Sequence, residues 1–156
     1  MVSLPVVNQP VEHRSGALLD HLARRMRVRS EAVLAPLGLR PRHLVALTVL
    51  RSRGDCTQQS LAATLEMDGT NIVGLLNELE AENLIERRRS PEDRRRHLVE
   101  LTDAGAKQLA RAESALAAIE DEVLGALDES QRETLHTLLL QAARGGETSC
   151  ATAIDA

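Results

Sequence analysis

The segment from residue 57 to residue 102 constrains the fold more strongly than any other part of the chain. Residues 58–65 and 69–82 each carry apolar side chains at helical spacing, and a three-residue turn separates them. Thr57 and Asp68 stand where helix N-caps are expected, because their side-chain oxygens accept bonds from first-turn amides. Two short amphipathic helices joined in this way predict a helix-turn-helix.

An arginine-rich hairpin is predicted directly after these helices. Residues 87–102 read RRRSPEDRRRHLVELT, with six arginines in ten residues around a Pro-containing turn. The second flank alternates, which places His97, Val99 and Leu101 on one face of a strand. A helix-turn-helix followed by a basic hairpin is a winged helix. The predicted fold class is therefore mainly α, with a short β-hairpin wing.

The charge of the chain is segregated along its length. The net charge is −4. However, residues 14–53 carry +7 and residues 87–111 carry +4, whereas residues 54–86 and 112–156 carry −7 each. Such segregation builds local positive potential that the net charge hides. The alternative is that the arginine hairpin is only a solvated sheet edge, protected against aggregation.

The remainder of the chain is predicted to be helical. Phe, Tyr and Trp are absent, so the core must consist of Leu, Ala, Val and Ile, and a site that stacks bases on aromatic rings is excluded. The prolines at 36 and 41 separate two N-terminal helices. The predicted organisation is an extended lead (1–11), N-terminal helices (12–53), a winged-helix core (54–102), C-terminal helices (103–144) and a flexible tail (145–156).

The two C-terminal helices carry apolar seams. Thr102 or Asp103 is expected to cap the first helix, whose apolar residues recur at spacings of three and four. Asp128 and Gln131 resemble a capping box that opens the last helix. A seam on a helix of this length predicts a partner helix. The seam residues are Leu109, Leu116, Ile119 and Val123 on the first of these helices, with Leu135 and Leu138 on the last.

The run CTQQSLAATLEMDGTNIVGLLNELEAENLIERRRSPEDRRRHLVELTDAG resembles the winged-helix core of the MarR family of bacterial transcription regulators. Its wing, with Asp-Arg-Arg and a closing Leu-Thr-x-x-Gly, is the most specific part, and LRPRHLVALTVL resembles the family's second helix. The similarity covers roughly residues 15–140. The resemblance implies a homodimer built by the terminal helices, which binds a pseudo-palindromic operator in double-stranded DNA. The six seam residues of the C-terminal helices are then the expected dimerisation contacts: Leu109, Leu116, Ile119, Val123, Leu135 and Leu138. It further implies a transcription regulator, in most cases a repressor released by a ligand or stress signal.

The resemblance also assigns DNA contacts. The second helix of the helix-turn-helix is the recognition helix, where asparagine can pair with adenine, and wing arginines suit a narrow minor groove. Arg94 is expected at the wing tip, and Arg95 is expected to pair with Asp93. The expected contacts are Thr70, Asn71, Gly74 and Asn77 on the recognition helix, Gln58, Gln59 and Ser60 on the supporting helix, and Arg87, Arg89, Arg94, Arg95 and Arg96 on the wing.

One feature departs from the family pattern. The recognition helix has no Lys or Arg, and Glu78, Glu80 and Glu82 occupy its C-terminal half. Either these carboxylates point away from DNA, or base reading is weak and the wing supplies most of the affinity. The alternative function is a dimeric winged-helix interaction protein with weak or no sequence-specific DNA reading.

Family members commonly bind a small anionic or phenolic effector between the dimerisation helices and the winged helix. His21, Arg24, Arg40 and His43 are the candidates here, since Arg and His can hold a carboxylate. The alternative is that they are ordinary surface residues. Cys56 is expected to be a small buried hydrophobe, with a thiol sensor as the alternative.

Several classes of function are not expected. The sequence has no Gly-rich phosphate loop and no His/Cys cluster, so no catalytic residue, cofactor or metal site is predicted. The two cysteines are far apart and the N-terminus lacks a secretion signal, which predicts reduced thiols in the cytoplasm. Every apolar run is too short to cross a membrane.

Overall fold

The computed structural model describes residues 14–147, with side chains through residue 145. The predicted lead 1–11 and most of the predicted tail lie outside the described residues. The elements are α1 (Gly16–Leu34), a single 3₁₀ turn (Ala35–Leu37), α2 (Pro41–Arg53), β1 (Cys56–Thr57), α3 (Gln58–Thr64), α4 (Gly69–Ala81), β2 (Ile85–Arg89), β3 (His97–Leu101), α5 (Asp103–Val123) and α6 (Glu129–Glu147).

The helix-turn-helix forms where the capping residues predict it. The Thr57 side chain accepts a hydrogen bond from the Ser60 amide at 3.1 Å, at the start of α3. Asp68 Oδ1 accepts one from the Asn71 amide at 2.8 Å, at the start of α4. Each bond satisfies a first-turn N–H that has no partner inside its helix. Both predicted helices are confirmed, each ending one residue before its predicted end.

The predicted wing is confirmed as an antiparallel hairpin. β2 and β3 pair in the register Ile85↔Leu101 to Arg89↔His97. The other edge of β3 pairs with β1, where Cys56 lies opposite Val99, so the sheet order is β1-β3-β2. The sequence did not predict β1, because two residues are too few to show an alternating pattern.

The core is aliphatic, as the composition requires. It includes Leu47 and Leu50 of α2, Leu61 of α3 and Ile72 of α4, all buried. Val99 of the wing lies in the same cluster. Because α2, α3, α4 and β3 all bury side chains there, the core fixes the recognition helix and the wing in one rigid unit.

The first half of the seam on α5 does not face a partner. Leu109 and Ala112 are both 0 % exposed and belong to the core of their own chain. The prediction of Leu109 as a dimerisation contact is therefore wrong. A repeating apolar stripe shows that one helix face is covered, but it does not show which element covers it. Farther along α5, Leu116 and Ile119 are partly buried and Val123 is buried.

The chain divides into two compact units between Ile119 and Glu120. In the second unit the predicted capping box is confirmed: the Gln131 amide donates to Asp128 Oδ1, and the Asp128 amide donates to Gln131 Oε1, both at 2.9 Å. α6 continues to Glu147, three residues past the predicted boundary at residue 144. Glycine weakens a helix interior by only about 1 kcal/mol, so the two glycines there did not end the helix.

The Leu-Thr-x-x-Gly sequence joins the recognition helix to α5. Thr102 Oγ1 donates to the Asn83 carbonyl at 2.7 Å and accepts from the Gly105 amide at 2.9 Å, which identifies Thr102 as the cap of α5. The Thr102 amide donates to the Leu84 carbonyl at 3.1 Å. A Cβ on Gly105 would lie 2.0 Å from that same carbonyl oxygen. Only glycine fits so close to another backbone segment.

Within residues 14–147, no single helix is long and apolar enough to cross a membrane. One pair of helical segments, Gly16–Leu37 and Pro41–Arg53, is together long and apolar enough to span a membrane, but the two segments are bent by 74°.

Candidate nucleic-acid interface

The recognition helix α4 has a buried side and a polar, exposed side. Ile72, Leu75, Leu76 and Leu79 point into the core. The predicted base-reading residues all lie on the exposed side: Thr70, Asn71, Gly74 and Asn77. Apart from its chain neighbours and the backbone of its own helix, no atom lies within 4 Å of the position where Gly74 would carry a Cβ, so this side of the helix is open.

The cap of α4 also fixes the side chain of Asn71. Asn71 Nδ2 donates to Asp68 Oδ2 at 2.9 Å. A carboxylate accepts only, so the amide must present its nitrogen to Asp68. The Asn71 side chain retains its Oδ1 acceptor and one N–H, which is the pair of groups that adenine recognition uses.

Glu78 of the recognition helix is held by two residues of α2. Arg42 Nη2 donates to both carboxylate oxygens at 2.8 and 2.9 Å, and His43 Nε2 lies 2.7 Å from Oε2. His43 Nδ1 accepts from the Arg40 amide at 3.0 Å, so Nε2 carries the proton and donates to Glu78. We call Arg42, His43 and Glu78 the α2–α4 clamp. The bond from His43, and then Arg42, lowers the pKa of Glu78.

Glu80 is held from the other side, by the wing. Arg87 Nε donates to Glu80 Oε2 at 2.9 Å, and Arg87 Nη2 donates to Asn77 Oδ1 at 2.7 Å. The hydrogen bond from Arg87 lowers the pKa of Glu80. Glu78 and Glu80 are thus paired with cations of the protein itself. For these two carboxylates, though not for the exposed Glu82, this arrangement favours the first of the two alternatives, in which they do not meet DNA.

The wing tip presents arginine side chains to solvent. Asp93 Oδ1 accepts from the Arg95 backbone amide at 3.0 Å, and its carboxylate lies 3.7 Å from Arg96. The expected ion pair between the Arg95 side chain and Asp93 is wrong, because the turn brings the amide of Arg95 to Asp93 and leaves its guanidinium outside. Buried Ser90 accepts from the amides of Glu92 and Asp93, which holds the turn.

Four of the eight predicted contacts of the supporting helix and the wing line one cleft: Gln58, Gln59, Arg95 and Arg96. Its volume is about 110 Å³, and it is lined by Thr57, Gln58, Gln59, Arg95, Arg96 and His97. Ser60 is exposed nearby in sequence, and Arg89 and Arg94 are exposed on the wing. Within the described part of the chain, neither Arg89 nor Arg94 forms an ion pair. Arg88, by contrast, pairs with Asp55 and Glu100.

The four candidate effector residues are not brought to one site. His21 and Arg24 are exposed on α1, where Arg24 pairs with Asp20 at 2.8 Å. Arg40 and His43 both border a pocket of about 350 Å³, lined by Gly38, Leu39, Arg40, His43, Glu78, Leu79, Ala81, Glu82 and Leu84. Both ring nitrogens of His43 are already bonded, so Arg40 is the cation left to meet a ligand there.

Cys56 is partly buried on β1, and this burial raises the pKa of its thiol. A raised pKa lowers the thiolate fraction that oxidation requires, which supports the prediction of a small hydrophobe rather than a sensor. Among residues 14–147, no group of three or more His, Cys, Asp or Glu side chains is placed to hold a metal ion.

The α2–α4 clamp makes a testable contribution to stability. Its pairing lowers the folded-state pKa of Glu78 below the ordinary value of 4.5, so the contribution is complete above that value. It is lost as the pH falls through the lower folded pKa. We expect Glu78→Gln to melt below the wild type at pH 7, with the gap closing as the pH falls below 4.5. Glu92→Gln, on the exposed wing turn, is the matched control. Melting curves followed by circular dichroism check this, and a gap that does not depend on pH would contradict it.

Comparison with known proteins identifies the family. A family model described as MarR family matches residues 37–96, which run from the end of the 3₁₀ turn to the residue before β3. A solved structure of the transcriptional repressor CouR, bound to a 23-mer DNA duplex, is 30 % identical with a TM-score of 0.73, over 90 % of this chain and 99 % of that one. The chain belongs to the MarR family. It is accordingly a transcription regulator with a DNA-binding winged helix.

Two curated relatives agree with this membership. A transcriptional regulatory protein proposed for the hcr operon of Thauera aromatica is 34 % identical over 102 residues, which is 65 % of this chain and 61 % of that protein. This chain therefore matches less than two thirds of that relative's length. The HTH-type transcriptional repressor NicR of Pseudomonas putida is 28 % identical over 141 residues, or 88 % of each chain. MarR-family proteins are non-enzymatic regulators, which confirms the prediction that the chain is not an enzyme.

Proposed function

We propose that this MarR-family protein is a homodimeric repressor that binds a pseudo-palindromic operator and is released by a small ligand. The observation that carries the proposal is the division of charged groups around α4. Glu78 and Glu80 are paired with protein cations, while Thr70, Asn71 and Asn77 remain exposed. A recognition helix without Lys or Arg thus offers a polar rather than an acidic face to the major groove.

The wing supplies the positive charge that the recognition helix lacks. Arg89, Arg94 and Arg95 are exposed and have no carboxylate partner among the described residues. Phosphate neutralisation by such groups supplies most of the sequence-independent affinity for DNA. The cleft that Gln58 and Gln59 share with Arg95 and Arg96 suits a backbone phosphate between α3 and the wing. The CouR structure, similar over nearly all of its length, contains DNA.

Exposed leucines on the terminal helices support the dimer. Leu18 on α1 is 67 % exposed and Leu138 on α6 is 56 % exposed. Leu19, Leu139 and Leu140 are exposed as well. Clusters of exposed apolar side chains mark interaction surfaces, and these lie on the helices that the resemblance to the MarR family assigns to dimerisation. Of the predicted contacts, Leu135 is partly buried and Leu138 is available to a partner.

Leu138→Asp is expected to dissociate the dimer. Burial of one leucine is worth about 1.5–3 kcal/mol, and a two-fold interface contains each residue twice. The dimer dissociation constant should therefore rise about hundredfold or more. Val45→Asp, at an exposed valine on α2, is the matched control and should leave the molar mass of the protein in solution at that of the dimer. Light scattering across a concentration series measures this. A wild type that is already monomeric, or a Leu138→Asp variant that stays dimeric, would contradict the proposed interface.

The pocket beside the α2–α4 clamp is the proposed effector site. Its volume of about 350 Å³ is in the range of small-molecule sites. Arg40 can meet a carboxylate or phenolate, while Glu78 and Glu82 in the same lining disfavour a multiply charged anion. A second pocket of about 300 Å³ also contains Arg40, with Glu31, Ala35, Leu39 and Pro41. A small, weakly acidic, partly apolar molecule fits these walls.

Selection of DNA from a random duplex library tests the proposed function. The expected product is an inverted repeat whose half-sites lie roughly 10 base pairs apart, as a two-fold dimer with one recognition helix per protomer requires. Failure to enrich any sequence, from a protein that is folded and dimeric, would contradict operator binding. That outcome would favour the alternative, a dimeric interaction protein that has kept the fold.

A further inference from the structure

Arg87 differs from the other arginines of the wing. Its side chain is 22 % exposed, compared with 47 % for Arg88 and 57 % for Arg96. Its guanidinium donates to Glu80 and to Asn77, which lie one turn apart on α4. The resemblance to the MarR family placed Arg87 among the DNA contacts, but the structure directs it onto the recognition helix.

The chemistry of this contact fixes the orientation of Asn77. Arginine only donates hydrogen bonds, so the atom that Asn77 turns toward Arg87 must be its oxygen. Asn77 Nδ2 then has no hydrogen-bond partner among the described residues, and Asn77 is exposed. A bond from a cation to the amide oxygen also polarises the amide, which strengthens its N–H groups as donors.

Electrostatics indicate that Arg87 contributes little to phosphate binding. Its charge is balanced by Glu80, which it contacts through both Nε and Nη2. A phosphate would have to displace that carboxylate before it could use the same two donors. The exposed, unpaired Arg89 on the same strand faces no such competition.

We propose that Arg87 is a positioning residue that fixes Asn77 as a donor toward base acceptors, and not a phosphate contact. Guanine is the base that suits this donor best, since its O6 and N7 are both acceptors in the major groove. Adenine would need an acceptor beside the donor, and Asn77 Oδ1 is engaged by Arg87. The inference rests on the proposed function, because it assumes that α4 reads an operator.

Arg87→Lys and Arg87→Ala, compared with Arg89→Ala, separate the two roles. The probes are a duplex selected by the wild type, the same duplex with single base substitutions, and a scrambled duplex. Both Arg87 variants should bind the selected duplex about tenfold more weakly and lose discrimination at one guanine. Their salt slope, which is the slope of log affinity against log salt concentration, should equal that of the wild type. Arg89→Ala should lose affinity equally on selected and scrambled DNA and lower the slope by about 0.9.

Lysine makes the test decisive because it keeps the positive charge but not the planar fork that spans Glu80 and Asn77. A phosphate contact would survive the change to lysine, whereas the positioning of Asn77 would be lost. The Asn77→Ala, Arg87→Ala double variant should discriminate no worse than Asn77→Ala alone. The proposal is overturned if Arg87→Lys binds and discriminates like the wild type, or if Arg87→Ala lowers the salt slope. It is also overturned if the losses of discrimination caused by Asn77→Ala and Arg87→Ala add in the double variant. A wild type that selects no sequence would instead overturn the proposed function.

Discussion

Gly105→Ala is expected to destabilise the protein by about 2–3 kcal/mol, because the new methyl group would overlap the backbone of another segment. Its Cβ would lie 2.0 Å from the Leu84 carbonyl oxygen and 2.8 Å from a methyl of Leu101. That carbonyl already accepts the Thr102 amide at the junction between α4 and α5, so it cannot move without breaking the junction. The expected fall in melting temperature is roughly 4–12 °C for a chain of this size.

Gly74→Ala is the matched control for this substitution. Gly74 lies inside α4, and nothing beyond its own helix backbone lies within 4 Å of a Cβ added there, so alanine should raise stability by up to about 1 kcal/mol. Circular dichroism is the appropriate signal, since a chain without Trp or Tyr has almost no intrinsic fluorescence. A Gly105→Ala variant that melts at or above the wild-type temperature would show that the α4–α5 junction is looser than described.

Replacing both Arg94 and Arg95 with Ala is expected to weaken binding to every DNA sequence. Both side chains are exposed and without a carboxylate partner within residues 14–147. A hydrogen bond to a charged group contributes about 1.5–3 kcal/mol, so two lost contacts should reduce affinity about hundredfold or more. The slope of log affinity against log salt should fall by about 1.8.

A double variant with the same change of net charge controls for the long-range electrostatic attraction between the protein and DNA. Lys107→Ala with Arg111→Ala also removes two positive charges, from exposed positions on α5. It should change the salt slope by much less, because those side chains are not on the wing. Equal changes of slope in the two double variants would mean that net charge, rather than the wing tip, attracts DNA.

The winged helix was predictable because its signals are local. Thr57 and Asp68 cap the helices that follow them, and the alternation around Val99 marks the second strand of the wing. Each signal depends on residues within a few positions, where backbone geometry decides which side chains meet. Local rules therefore gave both helices of the helix-turn-helix to within one residue.

The long-range contacts were not predictable by such rules. Glu78 meets residues 35 and 36 positions earlier in the chain, and a sequence pattern carries no signal for that pairing. The same limit explains Leu109, whose stripe on α5 is covered by the chain's own core. In the candidate site, the exposed polar face of α4 was predicted, but the bonds that orient Asn71 and Asn77 were not.

Binding of end-labelled DNA, followed by anisotropy from low to about 150 mM salt, tests the central claim most directly. The label belongs on the DNA because the protein has no Trp or Tyr. The probes are the duplex selected by the protein and a scrambled duplex of equal length. If α4 reads bases and the wing binds phosphates, the selected duplex remains bound at about 150 mM salt while the scrambled duplex is released. Equal binding to both probes that disappears with salt would contradict the account, because only phosphate attraction would then remain.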